Sequence, residues 1–375
     1  MKHGWEIKKL GDIVEIKNGK NQKLVETELG QYKILGSAGN VMGYSSEYIC
    51  EAGTTIIGRK GNISKPIYIN EKFWNVDTAF GLYPKNNFNP KFIYYLCLTV
   101  DFAKMNRGTT IPSLVKSEIK EINLKIPMSL PEQERIVSIL DKAFSAINQA
   151  KQNAEKNLKN AKELFDSYLS GIFTNKGDDW EIKKLGEVCE FKSGTTISPL
   201  LEHDIGDIIY TKIADMNLPT NEVEINTSSR FVSSDEIKLN QIIPNGAVIF
   251  PKRGGAIATN KKRQIIKPTI VDLNTMAIIP SKQINNDYFF HWFQLFDLNA
   301  ISNGANIPQI NNYSFDNVYI PYPMSLIEQQ AIVKKIDALS VKIKQLEVIY
   351  RQKLTELEDL KKSILQKAFN GELVA

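Results

Sequence analysis

Apolar residues recur in steps of three and four in two stretches of the chain, residues 128–175 and 324–375, and this spacing is typical of paired helices. The seam of the first stretch consists of Leu140, Ala143, Ile147, Ala150, Ala154, Asn157, Ala161, Leu164 and Tyr168. The seam of the second stretch consists of Ile336, Leu339, Ile343, Leu346, Tyr350, Lys353, Leu357, Leu360 and Ile364. Because the first seam is small and the second is bulky, we expect the two helices to pack closely as a coiled coil. The alternative is that each stripe packs only on its own domain.

The regions before these helices have a different pattern. Short runs rich in Ile, Val, Tyr and Thr alternate with Gly, Asn and Pro, as in GTTIIGRKGN, which is typical of strands and turns. A few helical runs, such as KFIYYLCLTVDFAKMN, interrupt them. The fold class is therefore α+β, with two globular domains at residues 1–127 and 176–323, and spacer helices at 128–175 and 324–375. We expect the first helix to end at Gly171 and the second near Gly371.

The chain also repeats itself. WEIKKLG stands at residues 5–11 and again at residues 180–186, and IPMSLPEQERIVSILDKA at 126–143 matches YPMSLIEQQAIVKKIDAL at 322–339. The two WEIKKLG segments are 175 positions apart, and the two later segments are 196 positions apart. The second copy therefore holds 21 extra residues between its two repeated segments. We interpret this as an internal duplication with pseudo-twofold symmetry. Connectivity then makes the two helices antiparallel and brings the termini near each other.

Composition narrows the class of protein. The chain is 42% apolar and 24% charged, which is typical of globular proteins, and neither a spanning apolar run nor a signal-peptide core is visible in the sequence. We therefore expect a cytoplasmic protein. Two groups of residues give no sign of a metal site, a disulfide framework or catalysis, because their members are scattered. They are Cys50, Cys97 and Cys189, and His3, His203 and His291.

Charge indicates a nucleic-acid partner. Residues 180–322 carry 13 basic and 15 acidic residues, yet residues 252–271 hold six cations and no acid. Such a strip suits a phosphate backbone, although a solvated hairpin would look the same. PKRGG at 251–255 has a counterpart in GRKG at 58–61. Arginine can fork onto guanine and glycine allows close backbone approach, while the plain alternative is a tight turn.

A second matched pair is RGTTIPSL at 107–114 and NGANIPQI at 303–310. We interpret it mainly as a linker that docks each domain on the helices, with polar side chains, including Asn303, that could touch DNA. The predicted DNA-binding residues are Arg59, Lys60, Asn62, Arg107, Thr109, Thr110, Lys252, Arg253, Gly254, Gly255, Thr259, Lys261, Lys262, Arg263 and Asn306.

Two other functions fit parts of the sequence. A metal-dependent nuclease could use Glu118 and Lys120 with Asp101, or Glu236 and Lys238 with Asp215. However, Glu-x-Lys recurs elsewhere in this Lys-rich chain, and neither a GxxxxGK[ST] phosphate loop nor an Asn/Asp-Pro-Pro-aromatic methyltransferase motif occurs. The other alternative is a coiled-coil scaffold protein without DNA binding.

The whole pattern resembles the specificity (S) subunit of type I restriction-modification systems. The resemblance rests on two variable domains, each followed by a Pro-x-x-x-x-Glu-Gln-x-x-Ile-Val motif and a long helix, and on LQKAFNGELV at 365–374. It implies that each domain reads one half of a bipartite DNA target, that the helices bind two methyltransferase (M) subunits and set the half-site separation, and that restriction (R) subunits join through them. It further implies a non-catalytic chain without a cofactor, with S-adenosylmethionine, ATP and magnesium on the partner subunits. LSGIFTNKG at 169–177 departs from the family's fuller helix ending, which leaves the first helix boundary open.

Overall fold

The computed structural model describes residues 4–85, 88–304 and 306–373, without the side chain of Leu24. The chain forms two compact units. Unit 1 comprises residues 1–156 and 350–375, and unit 2 comprises residues 157–349. The predicted domain boundaries at 127, 175 and 323 differ from these limits, because each long helix contributes one part of its length to each unit.

Unit 1 contains nine strands and three short helices among its described residues, followed by the first part of a long helix. The strands are β1 Trp5–Lys9, β2 Val14–Asn18, β3 Tyr32–Leu35, β4 Val41–Ser45, β5 Thr54–Gly58, β6 Ile67–Ile69, β7 Phe73–Asn75, β8 Ala79–Pro84 and β9 Asn123–Pro127. The helices are α1 Leu10–Ile13, α2 Pro90–Leu98, α3 Lys116–Lys120 and α4 Leu130–Thr174. Two 3₁₀ turns lie at Gln22–Leu24 and Phe102–Met105.

Unit 2 repeats this plan. Its strands are β10 Trp180–Lys184, β11 Cys189–Ser193, β12 Ile208–Thr211, β13 Glu224–Ile225, β14 Phe231–Val232, β15 Val248–Pro251, β16 Arg263–Ile265, β17 Thr269–Val271, β18 Thr275–Pro280 and β19 Tyr319–Pro323. Its helices are the last part of α4, α5 Leu185–Val188, α6 Asn286–Leu295 and the first part of α7 Leu326–Asn370. Its 3₁₀ turns are Pro199–Leu201, Asp215–Asn217, Pro219–Asn221, Ser234–Glu236, Leu239–Gln241, Gly254–Thr259, Leu298–Ile301 and Asn312–Phe315.

The sheets of the two units correspond strand by strand. A sheet of order β2-β8-β5-β6 in unit 1 matches β11-β18-β15-β16 in unit 2, where β13 adds a fifth strand. A second sheet, β4-β3-β7, matches β14-β12-β17, and each combines one antiparallel with one parallel pairing. Strands β5 and β15 are equivalent inner strands of these sheets. Each is fully buried and consists of apolar or β-branched residues, as expected of an inner strand.

The repeated WEIKKLG segment closes each unit. Strand β1 pairs antiparallel with β9, with Trp5 opposite Pro127, and β10 pairs with β19, with Trp180 opposite Pro323. In each copy the following leucine is buried, and its amide donates to a carbonyl just before the partner strand, at 2.8 Å. The duplicated word thus fastens the start of each domain to the strand that leads into the long helix.

A buried glutamine ties the first turn of each long helix to its domain. In unit 1 the Gln133 side chain accepts from the Asn89 amide at 2.9 Å and donates to the Pro127 carbonyl at 3.1 Å. In unit 2 Gln329 accepts from the Asn285 amide at 2.7 Å and donates to the carbonyls of Gln283 and Pro323. The asparagine is the N-cap of the short helix α2 or α6, so the glutamine fixes the angle between two helices by hydrogen bonds.

Each unit has one main core that includes parts of both long helices. In unit 1, Phe92 of α2 packs against Phe369 near the end of α7, with the rings tilted by 46° and their centroids 5.4 Å apart, and Leu140 of α4 belongs to the same cluster. In unit 2, Phe173 near the end of α4 meets Tyr288 of α6 edge-on at 5.3 Å. Phe173 and Phe369 stand at equivalent positions of the duplication, so each long helix ends by filling a domain core.

The two helices run antiparallel in unit 1. The Lys361 ammonium lies 5.0 Å from the Phe144 ring centroid, and Lys151 forms an ion pair with Glu358 at 2.7 Å. As the residue number rises along α4, the number of the contacting residue on α7 falls, so the two helices run in opposite directions.

Part of the predicted seam faces inward, and several of its alternate positions do not. Leu140, Ile147, Ala154, Ile336 and Ile343 are buried, and Leu339, Leu357 and Ile364 are half-buried. However, the side chains of Asn157, Leu164, Leu346 and Lys353 are exposed. The inward positions follow a four-then-three step and belong to residues such as Phe144, Leu158, Phe165 and Leu354. This phase buries large apolar side chains and leaves the polar amide and ammonium in water, where they have no desolvation cost.

The helix ends also differ from the prediction in one case. Helix α4 continues through Gly171 to Thr174, because Ile172 and Phe173 pack in the core of unit 2 and offset the poor helix propensity of glycine. Helix α7 ends at Asn370, and Gly371 adopts a left-handed φ of 78°, as a C-terminal glycine should. None of the helices in the described ranges is both long and apolar enough to cross a membrane.

Candidate nucleic-acid interface

The structure joins the two sequence motifs of unit 1 into a single site. Residues 59–62 follow β5, residues 107–114 precede α3, and we call them the first loop pair. The Leu114 amide donates to the Arg59 carbonyl and the Gly61 amide donates to the Pro112 carbonyl, both at 2.9 Å. The amides of Arg59 and Lys60 also donate to the Thr78 carbonyl, which anchors the loop to the start of β8.

Unit 2 builds the same arrangement from different residues. Residues 252–255 and 303–310, described except for residue 305, form the second loop pair. The Ile310 amide donates to the Lys252 carbonyl at 2.9 Å, and the Gly254 amide donates to the Pro308 carbonyl at 2.8 Å. The Lys252 amide donates to the Asn274 carbonyl at 2.8 Å, as Arg59 does to Thr78. The segments predicted to dock each domain on the helices, residues 107–114 and 303–310, thus form the second loop of each two-loop site.

A glycine makes the bend in each first loop. Gly61 has φ 78° and Gly254 has φ 75°, a left-handed conformation that other residues adopt only with strain. A Cβ at either position would meet no atom within 4 Å, so the backbone angle and not lack of space requires glycine there.

The predicted residues of unit 1 lie on or beside the first loop pair. Arg59, Lys60, Thr109 and Thr110 are exposed, and Asn62 is half-buried. The Arg59 guanidinium lies 5.9 Å from the Phe80 ring centroid and donates to the Asp77 carbonyl at 3.3 Å. Arg107 is exposed but forms an ion pair with Glu118 at 2.9 Å, and this hydrogen-bonded partner raises the pKa of Arg107. A phosphate must compete with that carboxylate to bind Arg107.

In unit 2 the exposed predicted residues are Arg253, Gly255, Thr259 and Asn306, while Gly254 is half-buried. Lys252 is half-buried and donates to the Ser193 hydroxyl at 2.9 Å, and desolvation by burial lowers the pKa of Lys252. Arg253 therefore presents its guanidinium to solvent beside the bend at Gly254, whereas Lys252 lies closer to the sheet.

Two cations of the basic strip, Lys262 and Arg263, turn inward, in contrast to the prediction that they contact DNA, whereas Lys267 is exposed. Lys262 is only 1% exposed, and its ammonium donates to the Asn260 side chain and to the carbonyls of Gln294 and Phe296 at the end of α6. It also lies 5.4 Å from the Phe293 ring centroid, and burial lowers the pKa of Lys262 to about 8. The C-terminal carbonyls of a helix and an aromatic face are favourable partners for a buried cation.

Two neighbours of Lys262 are also engaged in the fold. Arg263 is half-buried, and its guanidinium donates to the Lys262 carbonyl at 2.8 Å and to the Met216 carbonyl at 3.0 Å. Desolvation by burial lowers the pKa of Arg263. Lys261 is half-buried and donates to the Asn217 side chain. Lys262 and Arg263 therefore stabilise the fold around β16 instead of facing a ligand. Nothing in the KKR motif indicates which of its cations points inward.

Two apolar residues of the loops, Ile111 and Ile307, were not among the predicted DNA-binding residues. The side chains of Ile111 and Ile307 are 57% and 54% exposed, although both are apolar and both lie beside the cationic bend. The repeated Ile-Pro pair can be recognised in the sequence. The exposure of the isoleucine cannot be predicted from it, since an isoleucine before proline is equally compatible with a core position.

The carboxylates that suggested a nuclease have separate partners. Asp101 pairs with Lys104, Glu118 with Arg107, and Glu236 with His203. Among residues 4–85, 88–304 and 306–373, no three His, Cys, Asp or Glu side chains are grouped to hold a metal ion.

The three cysteines are buried free thiols. Burial raises the pKa of each to about 12, so a thiolate is strongly disfavoured at neutral pH.

Comparison with known proteins places the duplicated fold in a family. The type I restriction modification DNA specificity domain matches residues 2–157 and again residues 177–358. The chain therefore belongs to the family of type I restriction-modification DNA specificity proteins. It is a specificity subunit with two recognition domains.

Individual relatives span nearly the whole chain. The MjaIX and MjaVIII type I restriction enzyme specificity subunits of Methanocaldococcus jannaschii are 21% and 25% identical to it, and each match covers 98% of this chain and 93% of the relative. A solved structure from work on complex assembly and conformational transition of the type I R-M system covers 100% of this chain and 99% of its own, with 17% identity and a TM-score of 0.81. That structural likeness concerns the fold.

Proposed function

We propose that each loop pair binds one half of a bipartite, asymmetric DNA target, and that the chain is the non-catalytic reader in a complex with methyltransferase and restriction subunits. The proposal is supported above all by the backbone hydrogen bonds of the loop pairs, which repeat from one unit to the other. In both units, loops that differ in their cations and polar side chains are held by the same backbone hydrogen bonds at the end of the equivalent buried strand. Such a frame suits two readers with different sequence preferences.

Exposed cations beside each bend support a DNA ligand. Arg59 and Lys60 in unit 1, and Arg253 in unit 2, can neutralise phosphates or fork onto guanine in a groove. The remaining predicted contacts, Asn62, Thr109, Thr110, Gly255, Thr259, Lys261 and Asn306, lie on or near these loops and have side-chain or backbone donors for phosphates and base edges.

Salt dependence tests the proposal. Sequencing of methylated bases in the host genome defines the target, and a duplex with that site then serves as the probe. The wild-type complex should bind it with an affinity that falls steeply with salt, and Arg253→Ala should lower the slope of log K against log salt by about 1. Lys335→Ala, an exposed cation on α7, is the matched control and should leave the slope unchanged. Binding that is independent of salt would favour the alternative of a scaffold without DNA binding.

The helices are proposed to hold the partner subunits. Several apolar side chains on α4 and α7 of unit 2 are exposed, as a surface that binds another protein would be. They are Leu164, Tyr168, Val341, Leu346, Val348 and Ile349. We propose that two methyltransferase subunits bind the helices and that restriction subunits join through them. We further propose that S-adenosylmethionine, ATP and magnesium bind to those partner subunits.

The helices are also proposed to set the spacer between the two half-sites. Insertion of one heptad into both helices keeps the four-then-three phase and should lengthen the spacer in the methylated sites of the host. An unchanged spacer in sequenced methylated sites would contradict this part of the proposal.

A further inference from the structure

An exposed isoleucine stands at the same position of each loop pair. Ile111 and Ile307 are 196 positions apart, the offset of the duplication, and both side chains are more than half exposed. The residues around them differ, since Thr110 precedes the first and Asn306 precedes the second. In both copies the apolar side chain is exposed while its polar neighbour changes, so it contributes little to the packing of either unit.

The backbone holds each isoleucine in place. In unit 1 the Asn106 side chain accepts from the amides of Gly108 and Ser113, both at 2.8 Å, and so clamps the loop at both ends. A Cβ on Gly108 would collide with the Ile111 carbonyl, so the glycine allows the chain to fold tightly against the isoleucine. The following proline fixes its own φ and offers its carbonyl to Gly61.

Unit 2 reaches the same result with other bonds. Asn303 and Gln309 exchange two backbone hydrogen bonds, at 3.0 and 2.8 Å, and a Cβ on Gly304 would crowd the Ile307 carbonyl. The Pro308 carbonyl accepts from the amide of Gly254. Since the conformation of the exposed residue is set before any ligand arrives, little ordering entropy opposes binding through it.

The charges nearby determine what such a side chain could contact. The bonds between the two loops place each isoleucine next to the cationic bend, Arg59 and Lys60 in unit 1 and Lys252 and Arg253 in unit 2. Cations hold the phosphates at the rim of a groove, and an apolar side chain between them gains nothing from a phosphate. It does gain from a thymine methyl group or from the face of a base at an opened step.

We propose that Ile111 and Ile307 each enter a groove of the DNA and contact bases, so that they help to determine the sequence preference of their half-sites. This inference rests on the proposed function. It goes beyond it by assigning part of the base discrimination to an apolar residue that carries no charge and makes no hydrogen bond through its side chain.

Selection from a random duplex library tests the inference. The full chain is purified with its methyltransferase subunits, as wild type, Ile111→Ala and Ile307→Ala, and bound duplexes are sequenced. We expect Ile111→Ala to flatten the base frequencies at one or two positions of one half-site, and Ile307→Ala to do the same only in the other half-site. Affinity for the wild-type selected duplex should fall about tenfold, since part of an isoleucine side chain is no longer buried.

Matched controls separate this role from general loss of contact. Ile7→Ala and Ile182→Ala remove the same side chain at positions in β1 and β10 that are 61% and 53% exposed, and they should leave the selected sequences unchanged. Ile307→Val should retain most of the affinity. The salt slope should stay at the wild-type value for the isoleucine variants, whereas Arg253→Ala should lower it by about 1.

Three outcomes would overturn the inference. Unchanged base frequencies with Ile111→Ala and Ile307→Ala would show that the isoleucines read no bases. An equal loss of affinity for selected and random duplexes would mean that the side chains only support the loop. If the wild-type complex selects no bipartite sequence at all, the proposed function itself fails, and this result is distinct from the other two.

Discussion

The two loop pairs share their backbone and differ in the order of their cations. Arg59 and Lys252 occupy the position whose carbonyl accepts from the other loop, and Lys60 and Arg253 occupy the next position, beside the bend. The arginine therefore lies next to the strand in unit 1 and next to the glycine in unit 2. Because arginine forks onto planar acceptors and lysine acts as a point charge, one frame presents two different recognition surfaces.

The largest effect should come from the ends of the long helices, where equivalent phenylalanines complete the two cores. Phe369→Ala and Phe173→Ala each remove an aromatic side chain that fills the core of one unit, and each should cost about 3 kcal/mol or more in free energy of unfolding. Hydrogen exchange should show faster amides in unit 1 for the first variant and in unit 2 for the second. Leu360→Ala, an exposed position on α7, is the control, and equal acceleration in both units would contradict the separation of the two cores.

The buried glutamines should separate the units by the number of bonds that each one makes. Gln329→Leu removes one acceptor and two donated bonds, while Gln133→Leu removes one of each. Unpaired buried polar groups remain in both, so we expect losses of about 2–3 kcal/mol, larger for Gln329. Urea unfolding monitored in each unit measures this difference. Gln330→Leu at the adjacent exposed position should have little effect, and a smaller loss for Gln329 than for Gln133 would refute the ordering.

A third variant separates structural from ligand-facing cations within unit 2. Lys262→Met leaves the carbonyls of Gln294 and Phe296 without their cationic donor and should cost about 1–2 kcal/mol in stability. Because the ammonium is buried, the salt slope of DNA binding should be unchanged, unlike that of Arg253→Ala. A reduced slope with Lys262→Met would instead place this ammonium near a phosphate.

The smallest expected effect in free energy comes from exchanging the cations of unit 2. The double change Lys252→Arg with Arg253→Lys gives unit 2 the order found in unit 1 and keeps the net charge. We expect affinity to change less than tenfold while the preferred bases of one half-site change, since the exchange moves the forked donor by one residue. Selected duplexes provide the readout, and an identical base preference would show that the order of the cations is irrelevant.

The sequence predicted the architecture better than the orientation of individual side chains. The duplication, the α+β domains and two long helices follow from patterns that are local or that repeat. The phase of the seam did not, because steps of three-then-four and four-then-three both give the same average period. Phe144 decides between them, because its ring packs against Tyr95 and lies near the Lys361 ammonium, and no local window contains these residues.

The candidate site shows the same limit. Both loop motifs were recognisable, yet their union into one site depends on bonds between residues about 50 positions apart, such as Gly61 and Pro112. Lys261 and Lys262 are chemically alike in sequence, and only the position of the α6 carbonyls determines which one is buried. Gly171 was expected to end a helix, but tertiary packing of its neighbours outweighs a propensity of about 1 kcal/mol.

The residues that complete each core have a consequence for synthesis on the ribosome. Unit 2 consists of one continuous stretch, residues 157–349, whereas the core of unit 1 includes Leu365 and Phe369. The chain emerges from its N-terminus, so the first recognition domain must wait, with part of its core uncovered, until the last turns of α7 have been made. The half that is translated first is thus the half that is completed last.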